Sequence, residues 1–175
     1  MPPRQAHPAY GTHRAQRAHW ANRLVLAGIA AAALAAVGAA LVTQHALGMM
    51  PCAWCVLQRL IFLAVAGFAL LGGVLPAGLP RRTAALLALL AAGAGAAAAL
   101  WQHVVANNSA SCNLTLADKL MGATGLDRRF PEVFAAYASC ADAKATLAGL
   151  PYEYWSLGLF AVLLLLALKV VLQPT

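Results

Sequence analysis

Pro51-Cys52-Ala53-Trp54-Cys55-Val56-Leu57-Gln58-Arg59 places a Cys-x-x-Cys pair where a polar gap gives way to a long apolar run. The run continues to Leu75, interrupted only by Gln58 and Arg59 near its beginning. Read as a helix, it puts Arg59 four residues after Cys55, so the two share one face about one turn apart. Cys55 then sits in the first turn, where free backbone N–H groups and the positive end of the dipole favour a thiolate. A nearby guanidinium pushes the same way, and the thiolate is the reactive form of cysteine. Two closely spaced thiols can also close into a disulfide and pass two electrons on. Taken alone the motif suits zinc sites equally well, and Arg59 could simply be an anchor reaching for the headgroups.

The surrounding chain decides between these. Of 175 residues, 62% are hydrophobic and only 10% charged, against about 25% charged in a soluble domain. That is the composition of a small membrane protein. The formal charge of +7 does not imply a nucleic-acid partner, because of how it is distributed. All acids lie between Asp118 and Glu153, whereas Arg4, Arg14, Arg17, Arg23, Arg59, Arg81, Arg82 and Lys169 lie outside that segment. Such segregation is a topology signal rather than a polyanion-binding face.

Hydropathy predicts an all-α membrane protein, a bundle of four transmembrane helices. Residues 1–23 are basic, rich in Pro and His, and expected to form a mostly disordered cytoplasmic tail. The spans fall at about 24–42, 56–75, 83–101 and 155–172, each long enough to cross about 30 Å of hydrocarbon. The first is too long for a typical signal-peptide core. Residues 43–55 and 102–154 form the loops of one side, and 173–175 the cytoplasmic C-terminus. In the third span, Gly93-Ala94-Gly95-Ala96 fits a close helix-packing face. In the long loop Phe130, Val133, Phe134 and Tyr137 fall at i, i+3, i+4 and i+7, which predicts a short amphipathic helix. It would lie on the membrane surface or pack against the spans.

Four spans put both termini on one side, together with Arg4, Arg14, Arg17, Arg23, Arg81, Arg82 and Lys169 and no acid. The positive-inside rule makes that side cytoplasmic. Both cysteine pairs, Cys52/Cys55 and Cys112/Cys140, then face the other side. In a bacterial inner membrane that side is the periplasm, where disulfides persist. Zinc fits poorly, since 27 residues separate Cys112 from Cys140 instead of two to four. A purely structural role fits poorly as well, because a C-x-x-C bridge closes a very small loop with little entropic gain. His103, just beyond the third span, is placed to face a ligand at the level of Cys55 and Arg59, or to sit solvated at the interface.

The combination resembles the DsbB family of disulfide-bond-formation membrane proteins. The resemblance covers nearly the whole chain: four spans, Pro51-Cys52-x-x-Cys55 entering the second, Gln58-Arg59 after it, two cysteines in the long loop, and Trp155-Ser156 opening the last span. Trp54 stands where the family usually has another apolar residue. The resemblance implies that a soluble periplasmic DsbA-type, thioredoxin-fold oxidase is reoxidised and its electrons pass to the membrane quinone pool, ubiquinone or menaquinone, in the lipid bilayer. It implies that Cys112 takes the mixed disulfide, that Cys140 resolves it and can bridge to Cys52, and that Cys55 faces the quinone. Arg59 would bind or polarise a quinone carbonyl, with Gln58 and His103 as secondary candidates. Two alternatives stand beside this. The vitamin K epoxide reductase group also couples a C-x-x-C in a four-helix bundle to a quinone, but there the loop cysteines precede the motif. A membrane scaffold with structural disulfides would have the same cysteines without their rapid reduction and reoxidation.

Overall fold

The computed structural model describes residues 9–106, 115–139, 141–143 and 146–173. Helix α1 runs Ala9–Leu47, α2 Ala53–Val74, α3 Leu79–Val104 and α7 Tyr152–Leu172. Between α3 and α7 lie three short helices, α4 Leu116–Thr124, α5 Leu126–Arg129 and α6 Pro131–Phe134, and a hairpin of β1 Thr146–Leu147 and β2 Leu150–Pro151. Among the described residues, four stretches are long and apolar enough to cross a membrane: His19–Leu47, Ala53–Val74, Leu79–Val104 and Tyr152–Leu172. The protein is thus an all-α, four-span membrane protein.

Two sequence expectations need correction. Residues 9–23 are not irregular: α1 begins at Ala9, well before the apolar stretch. A helix once nucleated extends cheaply through residues that keep their backbone N–H groups, and this segment has no proline after Pro8. Nor do Phe130 to Tyr137 form one amphipathic helix. Phe130 precedes a proline and takes a non-helical conformation (φ −136°, ψ 64°), as steric conflict with the proline ring favours. Pro131 then starts a single turn that ends at Phe134, so the i+7 residue Tyr137 lies beyond it. Phe134 is buried against the bundle, while Phe130 and Tyr137 are exposed. The loop's longest helix is α4, held at its start by a capping box. The Thr115 hydroxyl accepts from the Asp118 backbone N–H, and the Asp118 carboxylate accepts from the Thr115 N–H.

The spans also run slightly past their apolar windows, to Leu47 and Val104 and back to Tyr152. Polar residues at these ends find partners within the fold, so the helices need not stop where hydropathy does.

Helix α2 packs on both α1 and α3, α3 packs on α7, and α7 returns to touch α1 more lightly. Mid-bundle, Phe62 of α2 and Phe160 of α7 stack with ring centroids 3.9 Å apart and planes 6° from parallel. They meet because α3 carries Gly95 at that level: a Cβ there would run into the Phe160 ring. The small-residue stripe of α3 is therefore a packing face, with Ala85, Ala88, Ala92 and Ala99 essentially inaccessible. At the bundle end away from Cys52, Arg81 is 1% exposed. Its Nε donates to Gly72 O (3.2 Å) and Nη2 to Leu75 O (2.9 Å), closing the last carbonyls of α2. Its Nη1 lies 3.4 Å from His19 Nδ1.

Candidate functional site

At the other end, Cys52 is the N-cap of α2, in extended conformation (φ −88°, ψ 169°). Its sulfur accepts from the Cys55 backbone N–H at 3.4 Å, a place usually filled by a serine or aspartate oxygen. Cys55 follows in the first turn, and the two sulfurs are 2.8 Å apart. Cys52 is fully buried and Cys55 partly exposed. The pair therefore has an inner and an outer member.

Each sulfur faces a different neighbour. Cys52 faces the long loop: Tyr137 and Ala138 both donate their N–H to Pro51 O (3.0 and 3.3 Å), and Cys52 pairs with Ala138 in a parallel bridge. Cys55 instead lines a cavity of about 530 Å³. Ala36, Ala39 and Ala40 of α1 form one wall, Leu159 and Val162 of α7 another, and Phe62 contributes its ring from α2. Gln58, Arg59, Gln102 and Glu153 bring polar groups to the same space. A largely apolar cavity of this size with a few convergent polar groups is the ordinary form of a small-molecule site.

Those polar groups are ordered by one another. Gln102 Nε2 donates to Cys55 Sγ at 3.3 Å, and its carbonyl accepts from Gln58 Nε2 at 2.7 Å. Arg59 is 6% exposed, so it does not reach out to solvent. Its Nη1 donates to Gln44 Oε1 (2.6 Å) and Val133 O (3.0 Å), and Nη2 to Ala40 O (3.3 Å). Gln44 passes the contact on, donating to Glu132 O at 3.3 Å, beside a His45–Glu132 pair at 3.2 Å. One arginine thus joins the end of α1, the cavity wall and α6 of the loop.

The structure brings Cys52, Cys55, Gln58 and Arg59 together as the sequence suggests. His103 is near but does not line the cavity. Its Nδ1 lies 2.9 Å from Glu153 Oε1, and its Nε2 lies 3.0 Å from the Tyr154 hydroxyl. Cys112 and Cys140 lie outside the described residues. Gln102 and Gln44 were missed by sequence reasoning. For Gln102 a signal existed: it follows Gly95, Ala98 and Ala99 at helical spacing, on the buried face of α3. Gln44 gave none, since its role depends on a residue 15 positions away and on a distant loop.

A family model described as disulfide bond formation protein DsbB matches residues 22–170. Disulfide bond formation protein B of Herminiimonas arsenicoxydans is 32% identical over 148 residues, covering 84% of this chain and 93% of that protein. Disulfide bond formation protein B 1 of Pseudomonas syringae pv. syringae is 33% identical over 143 residues, 79% of this chain and 82% of its own length. Disulfide bond formation protein B of Escherichia coli K12 is 30% identical over 147 residues, 81% of this chain and 82% of that protein.

Proposed function

The chain belongs to the DsbB family, as a multi-pass bacterial membrane thiol:disulfide oxidoreductase, and on that premise we propose that it reoxidises a periplasmic DsbA-type oxidase and passes the electrons to a membrane quinone. The observation that carries this reading is the division of the Cys52/Cys55 pair between two surroundings. One sulfur meets the loop that bears the other two cysteines; the other meets a largely apolar cavity between the helices.

The relay has two halves. In the loop half, the partner's thiolate attacks the Cys112–Cys140 disulfide and forms a mixed disulfide at Cys112. Cys140 is released and attacks Cys52, and Cys55 leaves as a thiolate. Reach favours this order. Cys140 is two residues beyond Ala138, which pairs with Cys52, and two residues of chain span no more than about 7 Å.

In the cavity half, the residues present suit a quinone. Its ring requires a flat apolar slot, which Phe62, Leu159 and the alanines of α1 supply, and its carbonyls require donors, which Arg59, Gln58 and Gln102 can offer. A quinone bound there supplies a two-electron acceptor. Arg59 would place positive charge beside a carbonyl oxygen where negative charge develops on reduction. Gln102 holds the Cys55 sulfur from the side and stabilises its thiolate form by donating to it. The expected topology follows: termini in the cytoplasm, both cysteine pairs in the periplasm.

The decisive experiment mixes purified protein with a reduced thioredoxin-fold oxidase and a soluble ubiquinone analogue while quinone absorbance is followed. Loss of one quinone for each dithiol oxidised is expected. Thiol oxidation with no change in the quinone would overturn the reading.

A further inference from the structure

We propose that Glu153 and His103 form a proton path into the cavity, Glu153 as the inner carboxyl facing the bound acceptor and His103 as the outer group that refills it from water. The proposal deepens the quinone reading above and rests on it.

Glu153 is an acid in the first turn of a membrane-spanning helix, only 7% exposed, in the wall of a largely apolar cavity. A carboxyl group in such a place is costly and marks function more often than not. Helix N-termini do favour acids, but a carboxylate serving only the dipole would gain most by facing water. This one turns inward to the cavity and onto His103 Nδ1 at 2.9 Å. His103 is outside the cavity lining, and its side chain is 35% exposed. Its other nitrogen lies 3.0 Å from the hydroxyl of Tyr154, itself exposed. The carboxyl at the cavity wall is thus hydrogen-bonded to the half-exposed imidazole, whose other nitrogen meets the hydroxyl of Tyr154, a residue that also borders the cavity. An imidazole with both nitrogens engaged in this way can accept a proton on one side and give one on the other.

The chemistry requires such a path. Closing the Cys52–Cys55 disulfide breaks two S–H bonds and forms one S–S bond. Two electrons pass to the acceptor, which gains two O–H bonds. Glu153 supplies the proton to the oxygen it faces and regains one from His103, which regains one from water. The second proton, and the two shed by the thiols, exchange with solvent, so the reaction balances without any further reactant.

The test uses the full chain, pre-reduced and mixed rapidly with a soluble ubiquinone analogue. A positioned general acid contributes about 10²-fold or more, so Glu153→Gln is expected to slow quinol formation about 10²-fold, and Glu153→Asp much less. Quinone affinity, read from tryptophan quenching, should change less than about twofold. His103→Ala should be slow as well, and added imidazole should restore it, because the outer end of the path is open; imidazole should not restore Glu153→Gln. In the quinone-free protein, Glu153→Gln should move the ¹⁵N signals of the His103 ring. A Glu153→Gln variant with the parent rate overturns the path, as does a His103→Ala variant that imidazole leaves slow. Loss of quinone binding in both variants would likewise make the pair structural and end the proposal. If the parent protein itself reduces no quinone, the functional reading fails first and takes the path with it.

Discussion

Two faces of this bundle are built from the same small residues and come out opposite. On α3, Ala85, Ala88, Ala92 and Gly95 draw α2 and α7 so close that Phe62 and Phe160 stack at 3.9 Å. On α1, Ala36, Ala39 and Ala40 face α7 across a cavity of about 530 Å³. Small side chains close a gap only if the backbones are free to approach. Around α3 they are. Between α1 and α7 they are not, because both helices are already held by α2 and α3, and the Arg59–Gln44 contact fixes the end of α1. Alanine then acts as absent volume. The difference separates a face that supplies stability from one that supplies a site, and the following substitutions test that separation.

The largest effect is expected at the cavity's reactive atom. Cys55→Ser should lower quinone reduction more than about 10³-fold, which is over 4 kcal/mol in barrier, while leaving thermal unfolding in detergent where it was. Quinone absorbance and a melting curve on the same preparation read both. A large fall in Tm would mean that the cavity wall carries stability after all.

Arg59→Ala comes next. Loss of one good charged hydrogen bond costs about 1.5–3 kcal/mol, so the apparent quinone affinity should drop roughly tenfold or more. The protein should still insert. An unchanged dependence of rate on quinone concentration would assign Arg59 wholly to holding α1 against the loop.

The packed face should answer in the reverse sense. Gly95→Ala drives a methyl into the Phe160 ring, and overpacking of this kind costs about 1–3 kcal/mol. Melting should fall by several degrees, with quinone affinity little changed. The smallest effect belongs to Gly158→Ala. Gly158 lines the cavity and a Cβ there meets nothing within 4 Å, so stability should stay within about 0.5 kcal/mol. Equal losses for the two glycine variants would erase the distinction between the faces.

Much of this was legible in the sequence, for reasons that also mark where legibility stops. The spans are readable because about twenty apolar residues in a row have few alternatives. Cys52, Cys55, Gln58 and Arg59 are readable because they lie within two turns of one helix, where periodicity alone fixes their neighbours. His103 stands out in the sequence as a titratable group, yet one residue on a helix is about 100° of rotation, and its neighbour Gln102 is the one turned to Cys55. The stripe ending Gly95, Ala98 and Ala99 held that information. The loop resisted because its pattern is written by turns. Pro131 breaks what periodicity would join, and the contacts of Tyr137 and Ala138 with Pro51 span more than eighty positions of sequence. No local signal encodes such a pairing, nor that of Gln44 with Glu132.

The Arg81 contact has a consequence for how the chain is assembled. Of its side-chain hydrogen bonds among the described residues, those to Gly72 O and Leu75 O go to α2 and to the residue that caps it. The hairpin of α2 and α3 therefore satisfies most of its own buried cation from within. Such a hairpin can enter the bilayer as a pair while α7 is still unmade, its turn already tied and its charge already answered. The slot for α7 against Gly95 would then exist before the helix that fills it, and synthesis order and packing order would coincide.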